Sequence, residues 1–231
     1  MALRSGAPTE FCRACRGARP RQGGDLGGPM YVIGLTGGIG SGKSTLAEVL
    51  KEKGVVILNA DHMGHEVYRP GRPGWREIVD AFGREVVAAD GTIDRKRLGT
   101  IVFSDPEALK RLNAITHPRM KELVRERLRE LEKAGVDMVV LEAALLFEAG
   151  WDSLTNEVWI TVAPPDVAAQ RAAQRSGISV AEARARIKAQ MSDEERVRRS
   201  HVVIRTDCDL EETRAQIEAE WGRLQKRLGR L

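Results

Sequence analysis

The 231-residue chain has few aromatic side chains, few cysteines and no long apolar run. Aromatic residues make up only 4% of it, which argues against a nucleic-acid surface built on base stacking. Three cysteines are too few for a disulfide framework and fit a reducing cytoplasm. No stretch is long enough to cross a bilayer, and the amino terminus lacks the apolar segment of a secretory signal. We therefore expect a soluble, cytoplasmic protein that binds neither nucleic acid nor a membrane.

The positive charge of the chain is concentrated at its amino terminus. The formal net charge is +4, and residues 1–29 hold five arginines against Glu10 and Asp25, a net of +3. The remainder is therefore nearly neutral. This first segment is rich in Arg, Gly and Pro and has no helix or strand period. It is predicted to be a disordered tail, or the product of a start codon upstream of Met30.

Two alternatives for the first segment depend on particular residues. Cys12 and Cys15 have the spacing of half a zinc site, but no second pair of ligands follows at a suitable distance. An Arg-rich organelle transit peptide is the other alternative. We expect residues 30–231 to form a single domain.

A Gly-rich loop follows a short apolar run at Tyr31–Leu35, which predicts a buried strand. The loop Gly37–Ser44 fits G-x-x-x-x-G-K-[ST], and Thr45–Lys53 after it has the apolar spacing of a helix. Glycines let successive backbone N–H groups turn toward phosphates, and the helix amino terminus adds partial positive charge. The residues predicted to bind ATP are Gly38, Ile39, Gly40, Ser41, Gly42, Lys43, Ser44 and Thr45.

Two side chains of this loop have more specific predicted roles. Lys43 is expected to reach the β- and γ-phosphates and to act in catalysis, and the Ser44 hydroxyl is expected to ligate Mg²⁺. The loop therefore specifies a nucleoside triphosphate and magnesium. It does not specify the acceptor.

The rest of the chain alternates between strand and helix patterns. Further strands are predicted at Val55–Leu58, Met138–Leu141, Val158–Val162 and Val202–Ile204. Helical patterns cover residues 62–131 with breaks at 70–74 and 90–91, residues 165–200 with a break at Gly177, and residues 210–231. This alternation predicts an α/β fold, a P-loop NTPase three-layer fold with a five-stranded parallel sheet. Ligands of such sheets bind outside the carboxyl ends of the strands.

Two acidic residues lie where that rule places a site. Asp61 follows the second strand, and a carboxylate there could accept or orient the proton of an acceptor hydroxyl. The alternative is an amino-terminal cap for the next helix. Glu142 ends the third strand, where P-loop proteins carry an acidic residue near magnesium; the alternative is a solvated charge. We expect Asp61 to be catalytic and Glu142 to help hold the metal.

The segment between the fourth and fifth strands is rich in arginine. Arg171 and Arg175 lie four residues apart on a predicted helix and so share one face. Two guanidinium groups there could close over the triphosphate and neutralise charge during transfer. His117, which precedes Pro118, is predicted to be a structural residue at a helix end. The cations expected to be surface charges are Arg184, Arg186, Lys188 and Arg196.

Seven short motifs occur in order along residues 31–212: Ile33–Thr45, Ala60-Asp61, Asp90–Arg95, Leu112–Pro118, Leu145–Gly150, Gln190-Met191 and Val202–Ile204. Together they resemble the dephospho-coenzyme A kinase family. The resemblance implies transfer of the ATP γ-phosphate to the ribose 3′-hydroxyl of dephospho-coenzyme A, the reaction that completes coenzyme A.

The resemblance also implies an organisation for the domain. It implies a helical substrate-binding insertion at residues 61–131 and a helical lid at residues 166–200. Asp61 matches the acidic residue of the family beside the acceptor hydroxyl, and Arg171 and Arg175 match its paired lid arginines. His117 matches an Asn-x-x-x-His-Pro stretch, which implies a part in substrate binding.

The chain departs from the family pattern at several positions. His65 stands where an arginine is usual, and we expect it to lie in the substrate-binding part of the site. Asn59 and Glu142 stand at usual aspartates, Ala143-Ala144 replace Val-Pro, and Thr206–Cys208 replace an Asn-x-Gly near the adenine. These departures bear on the affinity for substrate and nucleotide, whereas Lys43 and Asp61 are retained and imply activity.

Three alternatives remain open from the sequence. The first is another P-loop kinase that acts on nucleosides, nucleotides or shikimate-like alcohols. The second is a GTPase-like switch, although the sequence has no Asn-Lys-x-Asp motif to read guanine. The third is a catalytically silent homologue that only binds coenzyme precursors. The favoured hypothesis is a kinase with ATP and dephospho-coenzyme A as its small-molecule partners; the oligomeric state is not predicted.

Overall fold

A five-stranded parallel sheet forms the centre of the protein. The computed structural model describes residues 30–230; the tail predicted at residues 1–29 lies outside the described residues. The strands are β1 (Tyr31–Thr36), β2 (Val56–Asn59), β3 (Met138–Glu142), β4 (Glu157–Val162) and β5 (Val202–Arg205), in the spatial order β2-β3-β1-β4-β5. Glu142 is in register with Leu35 on one side and with Asn59 on the other. The carboxyl ends of β1, β2 and β3 therefore meet at one edge.

Helices connect the strands on both faces of the sheet. They are α1 (Lys43–Glu52), α2 (Gly64–Val67), α3 (Pro73–Phe82), α4 (Arg95–Ser104), α5 (Pro106–Lys133), α6 (Pro165–Ser176), α7 (Val180–Lys188), α8 (Asp193–Arg199) and α9 (Leu210–Arg227). Helices α2–α5 lie between β2 and β3, and α6–α8 lie between β4 and β5. In the described residues, no helix is long and apolar enough to span a membrane.

Alternating side chains of the strands fill two separate cores. On one face Ile33 and Leu35 pack in a cluster with Leu46 of α1 and Ile217 of α9. On the other face Val32 belongs to the cluster that includes α5. Successive residues of a strand point to opposite faces, so a sheet covered on both sides needs apolar residues at nearly every position. This explains why the predicted strands were continuous apolar runs, and it confirms the three-layer prediction.

Two local predictions were wrong. The break predicted at residues 70–74 lies two residues earlier, at 68–72, because α2 ends at Val67 and α3 already begins at Pro73, where the missing N–H of a proline costs little. His117 does not lie at a helix end, because α5 continues through Pro118 to Lys133. A proline inside a helix costs about 3 kcal/mol. Burial of the α5 face downstream of the proline against the sheet offsets that cost; its members are Met120, Leu123, Val124, Leu128 and Leu131.

Candidate active site

The phosphate loop joins the end of β1 to the start of α1 and lines a cavity of about 1050 Å³. All eight residues predicted to bind ATP, from Gly38 to Thr45, line this cavity. The Ser41 and Thr161 hydroxyls lie 2.8 Å apart in a buried hydrogen bond that ties the loop to β4. The cavity thus lies beyond the carboxyl edge of the sheet, as expected for this class of fold.

Gly40 adopts a conformation that other residues rarely take, with φ of +76°. A Cβ at this position would lie 2.2 Å from the carbonyl oxygen of Ala168 in α6. We expect Gly40→Ala to lower the free energy of unfolding by about 3 kcal/mol, from backbone strain and overpacking combined. Urea unfolding followed by circular dichroism measures this change.

A matched glycine provides the control for that substitution. Gly64 begins α2 with φ of −51°, and a Cβ there would meet nothing within 4 Å. We expect Gly64→Ala to be neutral or to stabilise the protein by up to about 1 kcal/mol. Equal unfolding free energies for the two variants would contradict the claim that the loop requires glycine at position 40.

Lys43 lies at the inner end of the loop. Its ammonium donates to the carbonyl oxygens of Gly37 at 2.6 Å and Gly38 at 3.2 Å. Burial holds the pKa of Lys43 below its usual value, and the carboxylates of Asp61 and Glu142 oppose that shift. The ammonium therefore lies within electrostatic reach of both acidic residues predicted from the strand ends.

Asp61 and Glu142 lie on adjacent parts of the cavity wall. The Asp61 carboxylate accepts from the Ala144 backbone N–H at 3.2 and 3.3 Å, and its side chain is exposed to the cavity mouth. Glu142 is half-buried, and its Oε2 accepts from the Asn59 amide at 2.8 Å. Burial raises the pKa of Glu142, whereas Lys43 and the Asn59 hydrogen bond lower it in part. Glu142 is thus turned into the site, and the alternative of a solvated charge does not describe it.

Asn59 performs two tasks at this edge of the sheet. Besides donating to Glu142, its Oδ1 accepts from the His62 N–H at 3.2 Å and caps the turn Ala60–Met63 that carries Asp61. The helix cap considered as an alternative for Asp61 is therefore supplied by Asn59. This frees the Asp61 carboxylate for the cavity.

Two arginines of α6 line the same cavity. Arg171 donates to the Thr206 hydroxyl at 3.0 Å and to the Thr206 carbonyl at 2.7 Å. Arg175, one turn further along α6, also lines the cavity. Thr206 in turn donates to the carbonyl of Ser41 at 2.9 Å, so α6, the end of β5 and the phosphate loop form one connected wall. Cys208 and Leu210 extend that wall past β5.

Two histidines predicted to bind substrate do not line this cavity. His65 is exposed on α2, and the histidine that reaches the cavity wall is His62, in the preceding turn. His117 is half-buried on α5, where burial lowers its pKa and the nearby charge of Glu148 opposes the shift. The sequence pattern could not settle which face of these short segments turns inward. Their substrate-binding roles stay predictions.

Arg196 is not a surface charge, which corrects the prediction from sequence. Its exposed fraction is only 1%, and it pairs with Glu148 and Asp193. Arginine abundance in this segment suggested a solvated face, whereas the α8 turn points this one side chain toward the phosphate loop. No local signal in the sequence marks this burial, because the partner Glu148 lies 48 residues earlier. The other three cations, Arg184, Arg186 and Lys188, are exposed as predicted.

The oxygen donors of the cavity suit a magnesium ion that is shared with nucleotide phosphates. Ser44 and Glu142 both line the cavity and offer hard oxygen ligands. In residues 30–230, no group of three or more His, Cys, Asp or Glu side chains is arranged to hold a metal. Mg²⁺ in kinases is usually bound through one or two protein oxygens, phosphates and water, so a sparse donor set fits that ion.

A strand–loop–helix with the phosphate-loop pattern, at a sheet edge that also carries the carboxylates of Asp61 and Glu142, defines this protein as a P-loop kinase. The family model for dephospho-CoA kinase matches residues 31–212 of the chain. The chain belongs to the dephospho-coenzyme A kinase family.

Individual relatives agree with that assignment. A dephospho-CoA kinase from Moorella thermoacetica is 49% identical over 200 residues, which cover 86% of this chain and 94% of the relative. The crystal structure of a protein from Thermus thermophilus is similar with a TM-score of 0.71 at 36% identity, covering 85% of this chain and 99% of that one. A dephospho-CoA kinase from Campylobacter jejuni has a TM-score of 0.64 at 27% identity, covering 84% and 97%.

Proposed function

We propose that this chain transfers the γ-phosphate of ATP to the ribose 3′-hydroxyl of dephospho-coenzyme A within the cavity described above. Family membership makes the chain an ATP-dependent kinase of dephospho-coenzyme A, which acts in the last step of coenzyme A biosynthesis. The observation that carries the assignment of the site is that the phosphate loop, Asp61, Glu142 and the two α6 arginines all line one cavity.

The proposed reaction begins with the acceptor hydroxyl beside Asp61. As the 3′-oxygen attacks the γ-phosphorus, the bond from that phosphorus to the β,γ-bridging oxygen breaks and ADP leaves with the electron pair. Asp61 accepts the hydroxyl proton and later releases it to solvent. The hydrogen bonds from the Ala144 N–H orient this carboxylate at the rim, which supports a positioning contribution as well.

We propose that Ser44 and Glu142 hold the magnesium ion. When bound, Mg²⁺ neutralises the charge of the β- and γ-phosphates. The hydrogen bond from Asn59 fixes Glu142 Oε2, which leaves Oε1 available as a ligand for the metal ion. Lys43 then supplies the remaining positive charge at the same phosphates.

The helices between the strands divide the other tasks in this proposal. Residues 61–131, which follow β2 and include α2–α4 and most of α5, bind the body of dephospho-coenzyme A. Residues 166–200, which include most of α6 together with α7 and α8, act as the lid. The scarcity of aromatic residues supports the further expectation that the chain binds no nucleic acid.

Arg175 is the lid residue whose removal tests this arrangement most cleanly, because Arg171 also holds Thr206 in place. We expect Arg175→Met to lower kcat about a hundredfold, since one cation aimed at the developing charge is lost. Steady-state kinetics with ATP and dephospho-coenzyme A measure the change. Arg184→Met is the matched control, because Arg184 is exposed on the same lid and pairs with Asp166. Equal kcat values for the two variants would contradict the proposed role of Arg175 in catalysis.

An acceptor panel tests the substrate assignment. The protein is incubated with magnesium and ATP together with dephospho-coenzyme A, adenosine or shikimate, and ADP release is followed. We expect rapid release only with dephospho-coenzyme A. Faster turnover of another acceptor, or a preference for GTP in nucleotide titrations, would instead support one of the alternative classes.

A further inference from the structure

A buried arginine lies behind the phosphate loop without a part in the reaction described so far. Arg196 of α8 donates from Nη1 to Asp193 at 3.2 Å and from Nη2 to Glu148 at 3.3 Å. Its Nε–H has no hydrogen-bond partner within the described residues. Burial of the Arg196 charge costs free energy. The two ion-pair contacts are long and the Nε–H is unpaired among the described residues, so these contacts do not fully offset that cost. The arrangement calls for a functional reason.

The surroundings of Arg196 provide that reason, because the same helix end contacts the phosphate loop. A Cβ placed on Gly38 would lie 3.4 Å from Arg196 Nη1 and 3.5 Å from Asp193 Oδ1. The neighbouring residue, Ile39, donates its backbone N–H to Gln190 Oε1 at 3.0 Å. The guanidinium, Asp193 and Gln190 therefore form a surface against which Gly38 and Ile39 are packed.

Gly38 and Ile39 lie at the γ-phosphate end of the loop. The Lys43 ammonium, which reaches the β- and γ-phosphates in this class of site, donates to the Gly38 carbonyl. The later loop residues run into the start of α1, and in this class of site such residues direct their N–H groups to the α- and β-phosphates. A shift of Gly38 and Ile39 would therefore affect the terminal phosphate more than the rest of the nucleotide.

We infer that Arg196 is a positioning residue that holds Gly38 and Ile39 in place for the γ-phosphate. Through Glu148 it also ties α8 of the lid to the segment that follows β3, which lies 48 residues away in sequence. Arg196 acts through the loop and does not itself touch the phosphate. The inference rests on the proposal that ATP is the nucleotide bound here.

Comparison of ATP with ADP tests this role, since only ATP carries the γ-phosphate. Lysine keeps the charge of Arg196 but lacks the fork that reaches Glu148 and Asp193 together. In calorimetric titrations with magnesium, we expect Arg196→Lys to raise the Kd for ATP about tenfold, because small misplacements in such sites are costly. The Kd for ADP should stay within about twofold of the wild-type value. Arg198→Lys, on the exposed side of the same helix, is the control and should change neither Kd.

Equal weakening of ATP and ADP, or no change in either, would overturn the inference and leave Arg196 a structural residue. Should Arg196→Lys fail to fold, Asp193→Ala decides instead, because it removes one partner of the guanidinium from a partly exposed position. It should weaken ATP selectively, whereas Glu194→Ala next to it should not. These titrations need no acceptor, so they decide the role of Arg196 separately from whether dephospho-coenzyme A is the substrate.

Discussion

We expect the Lys43→Ala variant to keep its fold and lose about a thousandfold in kcat. The Lys43 ammonium lies at the inner end of the loop, held by the Gly37 and Gly38 carbonyls at 2.6 and 3.2 Å. Its removal takes away the charge that stabilises the transferring phosphoryl group. Water that enters the space left by the side chain carries no charge and cannot replace the ammonium. Steady-state kinetics with saturating ATP and dephospho-coenzyme A measure the loss.

A lysine near the far end of the same helix serves as the control for Lys43→Ala. Lys53 follows α1, and its ammonium pairs with Glu218 of α9 on the protein surface. Lys53→Ala should retain kcat within about twofold, because a surface ion pair contributes at most about 1 kcal/mol to stability. Similar activities for the two variants would show that the loop lysine is dispensable and would contradict the proposed site.

We expect Asp61→Asn to lower kcat about a thousandfold while the Kd for ATP changes by less than about threefold. Asparagine keeps the shape of the side chain, and its amide oxygen can still accept from the Ala144 N–H. It cannot accept the acceptor proton, so the loss falls on the transfer step. Kinetics at saturating substrates give kcat, and calorimetric titration gives the affinity for ATP.

Asp137 is the matched carboxylate for that experiment. It precedes β3 at the opposite edge of the sheet, where it pairs with Arg230. Asp137→Asn should leave both kcat and the affinity for ATP near their wild-type values. A large rise in the Kd for ATP with normal kcat in Asp61→Asn would assign Asp61 to nucleotide binding and would refute its role at the acceptor.

The sheet and half of the site could be predicted from sequence because their signals are local. The loop Gly37–Ser44 is recognised from the spacing of its glycines, lysine and serine alone. Each strand is a short apolar run that must be buried on both faces. Asp61 and Glu142 follow from a rule of parallel sheets, since residues after neighbouring strands meet at one edge. The order of strands and helices along the chain was therefore enough to predict that both residues line the cavity.

The rest of the site depends on contacts between distant segments. Arg196 is buried because Glu148, 48 residues earlier, and Gly38 of the loop surround it. Arg171 is fixed by Thr206, 35 residues later. A single sequence does not reveal such pairings. It also does not show which side of the turn Ala60–Met63 and of α2 faces the cavity, which His62 lines and His65 does not. The continuation of α5 through Pro118 likewise depends on packing that local propensity does not contain.

The most direct test of the proposed function is the structure of the product. The wild-type protein is incubated with magnesium, ATP and dephospho-coenzyme A, and the product is analysed by mass spectrometry and by ³¹P and ¹H NMR. We predict one new phosphate monoester on the ribose 3′-oxygen, formed in equal amount to ADP. Release of ADP without a phosphorylated product, or a phosphate at the 2′-oxygen, would contradict the placement of the acceptor 3′-hydroxyl between Asp61 and the phosphate loop.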